Sequence, residues 1–294
     1  MSDAALPVAE REVVPAAALP RKGIDPRWFS STLLTLILVV GQWKSQILGD
    51  DYRPWLVALG TCVGAELVLH ALHTGKFVNL LSAYISGNSV AILVKPQGSL
   101  LWPFVVGALL AILSKYVLRY GERHLWNPTN FSICALLLLA PHSVSILSHQ
   151  WGNDPYIVGA IWIVGLLVVI RARVWHLTVG YLVLFVFFAW IRTLFNGQTM
   201  AAELGPVTGP MYQLFMFFMV TDPRTIVSGR KAQLGVLFLI ALAECVIRLA
   251  ADFEWLSPEN PLLLAPPMFA LFFLGAPFLW WQLYRSRRKS PSAA

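Results

Sequence analysis

Charge is scarce in this sequence. Its 294 residues hold 15 Asp and Glu against 22 Lys and Arg, and charged residues make up only 13% of the whole. A soluble domain carries about a quarter charged residues, so a water-coated globule is excluded. Cysteine is scarcer still. Cys62, Cys134 and Cys245 stand far apart, each inside an apolar stretch, with neither CxxC nor metal-ligand spacing. That excludes a disulfide framework or an iron–sulfur cluster built by this chain alone, and the three read as small buried hydrophobes. No metal site is expected. There is no dinucleotide fingerprint and no large soluble segment, which excludes a self-contained nicotinamide enzyme. Residues 1–26 are rich in Ala and Pro and lack an apolar core of signal-peptide length.

What the chain has in abundance is apolar length. Hydrophobic residues make up 57%, and the mean hydropathy is +0.65. A membrane-spanning helix needs about 20 mostly apolar residues, and ten candidate spans lie near 28–42, 54–73, 79–94, 99–118, 129–147, 155–170, 175–195, 206–220, 232–249 and 261–284. Several are short for a regular crossing, which predicts breaks or re-entrant pieces shielded by protein. With the N-terminus inside, only Lys44, Arg53, Lys95, Arg192 and Arg248 of the Lys and Arg fall on the outer side. This is the positive-inside pattern. The expectation is an all-α multi-pass protein of the bacterial inner membrane with both termini cytoplasmic; eight spans with two segments dipping in and out are the rival arrangement. The basic residues sit in short loops, so the net charge of +7 points to the lipid bilayer and not to nucleic acid. The tails 1–26 and 285–294 are expected to be disordered.

The ten spans read as two sets of five. Pro96 and Pro223 are 127 residues apart, Gly107 and Gly235 are 128 apart, and Asn127-Pro128 and Asn260-Pro261 are 133 apart. Five spans per half is an odd number, so the second half enters the membrane inverted. The predicted units are 27–150 and 151–284. Within them, 79–96 is interrupted by Ser86-Gly87-Asn88, and 203–223 by Gly209-Pro210. Short, Gly/Pro-interrupted segments at matching places in two halves point to a ligand site near the midplane.

Few residues in these spans carry chemistry. Glu66, His70 and His73 fall at i, i+4 and i+7 on one helical face. They read either as a proton relay or ligand contact, or as a local bond from Glu66 to His70 that plugs a polar gap. Lys115 lies near the inner end of its span and either snorkels to the interface or faces a ligand. Glu244 and Arg248 are spaced for a local ion pair. Asn127-Pro128-Thr129-Asn130 is a helix start with Asn at the cap and Pro at the first position. Thr221-Asp222-Pro223-Arg224 ends a helix and presents a guanidinium suited to phosphate or carboxylate. On the residues alone, ordinary capping and inner-face charge are the favoured explanation of both.

Three stretches carry a family resemblance. SAYISGNSVAILVKP (82–96), VGALLAILSKYVLRYGERHLWNPTNF (106–131) and MFFMVTDPRT (216–225) resemble, in order, the signatures of the RnfD/NqrB family, membrane subunits of the Rnf and sodium-pumping NADH:quinone oxidoreductase complexes. The last is the most specific. The resemblance implies ten helices in two inverted five-helix repeats with broken helices, a fold shared with urea transporters. The family's flavin-attachment motif, Ser-Gly-Ala-Thr, is absent, so covalent FMN is not expected. In this the chain looks more like the short RnfD-like proteins of the UnbU type, found with enediyne clusters and elsewhere.

The resemblance favours an electron-transport subunit that holds a non-covalent flavin or quinone between the repeats and works with partner redox subunits. The implied cofactor-binding residues are Ser86, Gly87, Asn88, Lys115, Asn127, Thr129, Asn130, Thr221, Asp222 and Arg224. The alternatives are a transporter or channel for a small polar solute or ion, using Glu66, His70 and His73, and a cofactor-less membrane scaffold.

Overall fold

The computed structural model describes residues 26–46, 48, 50–74, 80–146 and 155–289. The expected N-terminal tail up to residue 25 lies outside them, as do Lys76, His149, Trp151 and residues 290–294. The described chain is helical: α1 (Pro26–Ser45), α2 (Arg53–Thr74), α3 (Leu81–Leu93), α4 (Trp102–Val117), α5 (Pro128–Leu139), α6 (Pro155–Arg171), α7 (Trp175–Asn196), α8 (Met200–Leu204), α9 (Pro210–Leu214), α10 (Arg230–Asp252) and α11 (Pro266–Lys289). Two short antiparallel ladders accompany them, β1 (Val94–Pro96) with β4 (Val144–Ile146) and β2 (Arg119–Tyr120) with β3 (Arg123–His124).

Each predicted apolar segment coincides with a helix or, at 206–220, with a chain of short helical pieces. Among the described residues four helices, α2, α7, α10 and α11, are long and apolar enough to cross a membrane, and five shorter apolar helices accompany them. Large apolar side chains face outward, Leu72 at 80%, Val117 at 71% and Ile163 at 64% exposure. Such a surface suits lipid and would not stay dispersed in water. The packing is orderly. α2 lies against α3 and α4, and α4 against α5; α10 is flanked by α7 and α11. Between the halves, α1 meets α6 and α5 meets α11.

Three expectations need correction. α3 runs unbroken through Ser86-Gly87-Asn88. Gly87 marks a close crossing instead: a Cβ there would lie 2.9 Å from the Leu59 Cα of α2. The interruption comes at the helix end, where Val94 turns extended and β1 pairs with β4. The fifth span stops at Leu139 rather than 147, because Pro141 cannot continue it and the chain passes into β4. The C-terminal tail is helical as far as Lys289.

The second expected interruption is present. After α8 the chain makes a 3₁₀ turn at Gly205–Thr208, restarts as α9 behind Gly209-Pro210, and widens into a π-helical turn at Phe215–Met219. Gly165 of α6 admits the π turn closely, since a Cβ there would overlap the Phe217 ring.

These crossings set a stability test. Gly87→Ala forces backbone apart and should cost about 1–3 kcal/mol, whereas Gly60→Ala, with nothing within 4 Å of its added Cβ, should be neutral or stabilising. Thermal unfolding in detergent reads the difference, and equal melting of the two variants would contradict the tight α2–α3 crossing.

Candidate functional site

Asn127 links two distant stretches of the chain. It caps α5 with extended backbone (φ −61°, ψ 124°), its Oδ1 accepts from the Asn130 N–H at 3.1 Å, and Pro128 fills the first helical position. The remaining amide group crosses to the other half. Asn127 Nδ2 donates to Asp222 Oδ2 at 3.0 Å. Asp222 Oδ1 accepts from the Arg224 N–H at 3.0 Å, which shapes the turn that ends the π-helical stretch. Thr221, buried, donates back to the Phe217 carbonyl at 2.5 Å.

Neighbouring side chains reinforce this docking. Arg123 of β3 forks onto the carbonyls of Pro223, Arg224 and Ile226, at 2.8–3.3 Å through Nη2. Trp126 Nε1 donates to the Phe272 carbonyl at 2.9 Å, and Asn130 Nδ2 to the Met268 carbonyl at 3.0 Å, which ties α5 to α11. Thr129 is buried in the first turn of α5. Thus Asn127, Thr129, Asn130, Thr221, Asp222 and Arg224 share one region, with the Arg224 residue exposed at its rim. Half-buried His124 flanks it. Burial pushes its imidazole below the ordinary value; Asp222 opposes that, while Arg224, Lys115 and Arg119 add to it.

A narrow, mostly apolar cavity lies beside the Thr-Asp-Pro turn. It is lined by Thr225, Val227, Gln233, Leu177, Leu271 and Gly275 among others. Gln233 is fixed on both ends of its amide: Nε2 donates to the Val227 carbonyl at 3.0 Å and Oε1 lies 2.7 Å from His176 Nε2.

The remaining predicted residues lie elsewhere. Ser86, Gly87 and Asn88 are buried in α3, where Asn88 accepts from Trp55 Nε1 at 2.8 Å and donates to the Tyr84 carbonyl at 2.9 Å. They join α3 to α2. Lys115 neither snorkels nor faces the junction. Its Nζ lies 3.4 Å from Glu66 Oε2 and donates to Ser82 Oγ at 3.0 Å, while the Tyr116 hydroxyl donates to Glu66 Oε1 at 3.0 Å. Glu66 is therefore turned toward α4, away from the local bond to His70 that its spacing suggested. His70 is half-buried, and His73 is exposed, edge-on to Tyr116.

A second polar cluster stands in the other half. The Glu244–Arg248 pair predicted from spacing forms at 3.2 Å. Two tyrosines unforeseen from sequence complete it: Tyr181 and Tyr212 donate to Glu244 at 2.6 and 2.8 Å. Tyr212 belongs to the interrupted segment and Tyr181 to α7, and no periodic signal links positions so far apart. Arg192, counted above on the outer side of the membrane, is 1% exposed and pairs with Glu203 at 2.6 Å. Beyond the break, buried Gln213 donates to the Thr208 carbonyl at 2.8 Å, and its Oε1 has no hydrogen-bond partner among the described residues.

No family model matches the chain. It is similar to the RnfD subunits of the ion-translocating oxidoreductase complex from Escherichia coli strains SMS-3-5 and K12 and from E. coli O9:H4 strain HS. Each is 24% identical over 230 residues, covering 68% of this chain and 63% of the relative. The chain thus aligns with less than two thirds of the length of those relatives. This is distant homology to RnfD, carried by a helical membrane protein.

Two measurements test the site's electrostatics. Lys115→Met removes the buried counter-charge of Glu66, at a cost of about 3–5 kcal/mol; adding Glu66→Leu should recover most of it in detergent melts. A single variant as stable as the wild type would contradict the pairing. Because folded His124 stays neutral where the unfolded side chain is already charged, its contribution is full above the ordinary histidine value near 6.5 and falls as the pH drops. His124→Gln should therefore shrink the loss of stability between about pH 7.5 and 5.5. An unchanged loss would show that the imidazole is not held neutral.

Proposed function

We propose that this chain is the membrane subunit of an electron-transport complex of the ion-translocating oxidoreductase type. One observation carries the reading: the Asn127–Asp222 bond joins the Asn-Pro and Thr-Asp-Pro signatures, from opposite halves, at one place. Distant homology to RnfD supports it. In this reading the halves are inverted five-helix repeats. The matched contacts support that arrangement, α2 with α4 beside α7 with α10, and α4 with α5 beside α10 with α11.

The cofactor proposed is a non-covalent flavin or quinone at the junction. Ser86, Gly87 and Asn88 do not fit it, since they are closed into the α2–α3 contact. The rim of Asn127, Asp222 and Arg224 would supply the polar side of such a site and the cavity beside Thr225 and Gln233 its apolar side, and that narrow cavity has to widen before a ring system can enter. The bound group would supply the electron-carrying chemistry. Arg224 would hold its phosphate or the negative charge of its reduced ring, and Thr225 would orient it from the cavity wall. Partner proteins must supply the electrons, because the chain carries no dinucleotide fingerprint or cysteine cluster. The reading places the protein in the bacterial inner membrane with both termini cytoplasmic.

The test is cofactor content. Protein purified in mild detergent with its neighbouring gene products should carry flavin absorbance or an extractable quinone, and Arg224→Gln should weaken retention by roughly 10–100-fold. Finding neither group would end this reading.

The transporter reading has one observation in its favour, the buried Gln213 Oε1, which has no hydrogen-bond partner among the described residues and lies beyond the break at Gly205–Thr208. It predicts solute or ion flux in liposomes that Gln213→Leu reduces. Vesicles no leakier than empty ones would remove it.

A further inference from the structure

The last turns of α11 carry a built surface that neither reading uses. Trp281, Tyr284, Arg285 and Arg288 fall at i, i+3, i+4 and i+7, so they form one stripe along the helix. Trp280 flanks it and stacks on Tyr284 with ring centroids 5.5 Å apart. The Arg285 guanidinium lies 4.3 Å over the Trp281 ring, and that of Arg288 lies 5.3 Å over Tyr284. These five residues line an open groove. The aromatic rings are well exposed, Trp280 at 45% and Trp281 at 49%. Arg287 points elsewhere, over the Tyr120 ring of β2.

Charge and spacing decide what fits. No acidic residue follows Glu259 in the chain, so nothing on this helix neutralises the stripe. Tryptophan and tyrosine settle at the boundary between acyl chains and headgroups. One helical turn, about 5.4 Å, carries the chain from Trp281 to Arg285 and so from that boundary toward the phosphate layer. The cation–π contacts hold both guanidiniums over the rings, ready for charge-assisted bonds to phosphate oxygens. We propose that this stripe is a binding site for one anionic phospholipid of the leaflet that faces the C-terminal end of α11. The rings would take the glycerol and upper acyl region, and Arg285 and Arg288 the headgroup phosphate. The proposal does not depend on the electron-transport reading.

Native mass spectrometry and thermal melts of the full-length protein test it. The probes are phosphatidylglycerol, phosphatidylcholine and inorganic phosphate. The wild type should retain phosphatidylglycerol and melt several degrees higher with it, with little response to the other two. Arg285→Gln/Arg288→Gln should bind it roughly 30-fold more weakly, whereas Arg287→Gln should behave as wild type. Arg285→Lys/Arg288→Lys, which keeps the charge, should retain part of the binding and guards against loss through misfolding. Equal retention by the double Gln variant, an equal effect of the neutral lipid, or full replacement by inorganic phosphate would each overturn the proposal. An acidic protein partner as the true occupant would show as no lipid preference at all.

Discussion

A polar side chain withdrawn from water costs several kcal/mol unless it finds a partner, and an ionised one costs far more. In a bilayer no solvent is present to supply that partner. This chain nevertheless buries Glu66, Glu244, Arg192, Asn88 and Asn130. Each is paired, and in each case the partner comes from another helix: Lys115 and Tyr116 for Glu66, Tyr181 and Tyr212 for Glu244, Glu203 for Arg192, Trp55 for Asn88, the Met268 carbonyl for Asn130. Helix association in lipid lacks the hydrophobic drive found in water, so such bonds and close small-residue crossings position the helices. The crossing at Gly87 and the Asn127–Asp222 bond are the two kinds of contact in this molecule.

The same constraint explains the irregular backbone. Chain that leaves a helix at membrane depth has to be enclosed by protein. Val94, Val144 and Ile146 of the β1–β4 ladder are almost fully buried, and so are Phe215 and Phe217 of the π-helical turn. The interrupted segment is held on both sides of its break. Glu203 precedes the break and pairs with Arg192 of α7, while Tyr212 follows it and bonds Glu244 of α10. A break pinned in this way can present its free backbone to a ligand without unravelling, which is the property that both functional readings require.

Much of this was legible in the sequence. Apolar length gave the helices, because a lipid-facing helix needs a continuous apolar run whatever its neighbours are. Asn127 and Asp222 announced themselves through the prolines that follow them, and Glu244 with Arg248 through helical spacing. What escaped was every bond between helices. Nothing along the chain tells Lys115 to meet Glu66, or Tyr212 to meet Glu244. Gly87 misled for a related reason: in isolation it weakens a helix, whereas here it allows α3 to touch α2. Spacing also hid the true end of the fifth span, where apolar residues continue beyond Leu139 but the backbone becomes extended.

The proposed arrangement has the halves in opposed directions, with the Asn-Pro and Thr-Asp-Pro turns meeting at one membrane face. Sided cysteine labelling tests it most directly. In a background with Cys62, Cys134 and Cys245 replaced by Ala, single variants Gly121→Cys, Arg224→Cys, Gly197→Cys and Trp255→Cys would be treated with a membrane-impermeant thiol reagent, in sealed vesicles of both orientations. The account predicts that positions 121 and 224 react from one face only, and positions 197 and 255 from the other. Positions 121 and 224 reacting from opposite faces, or 197 sharing theirs, would contradict it.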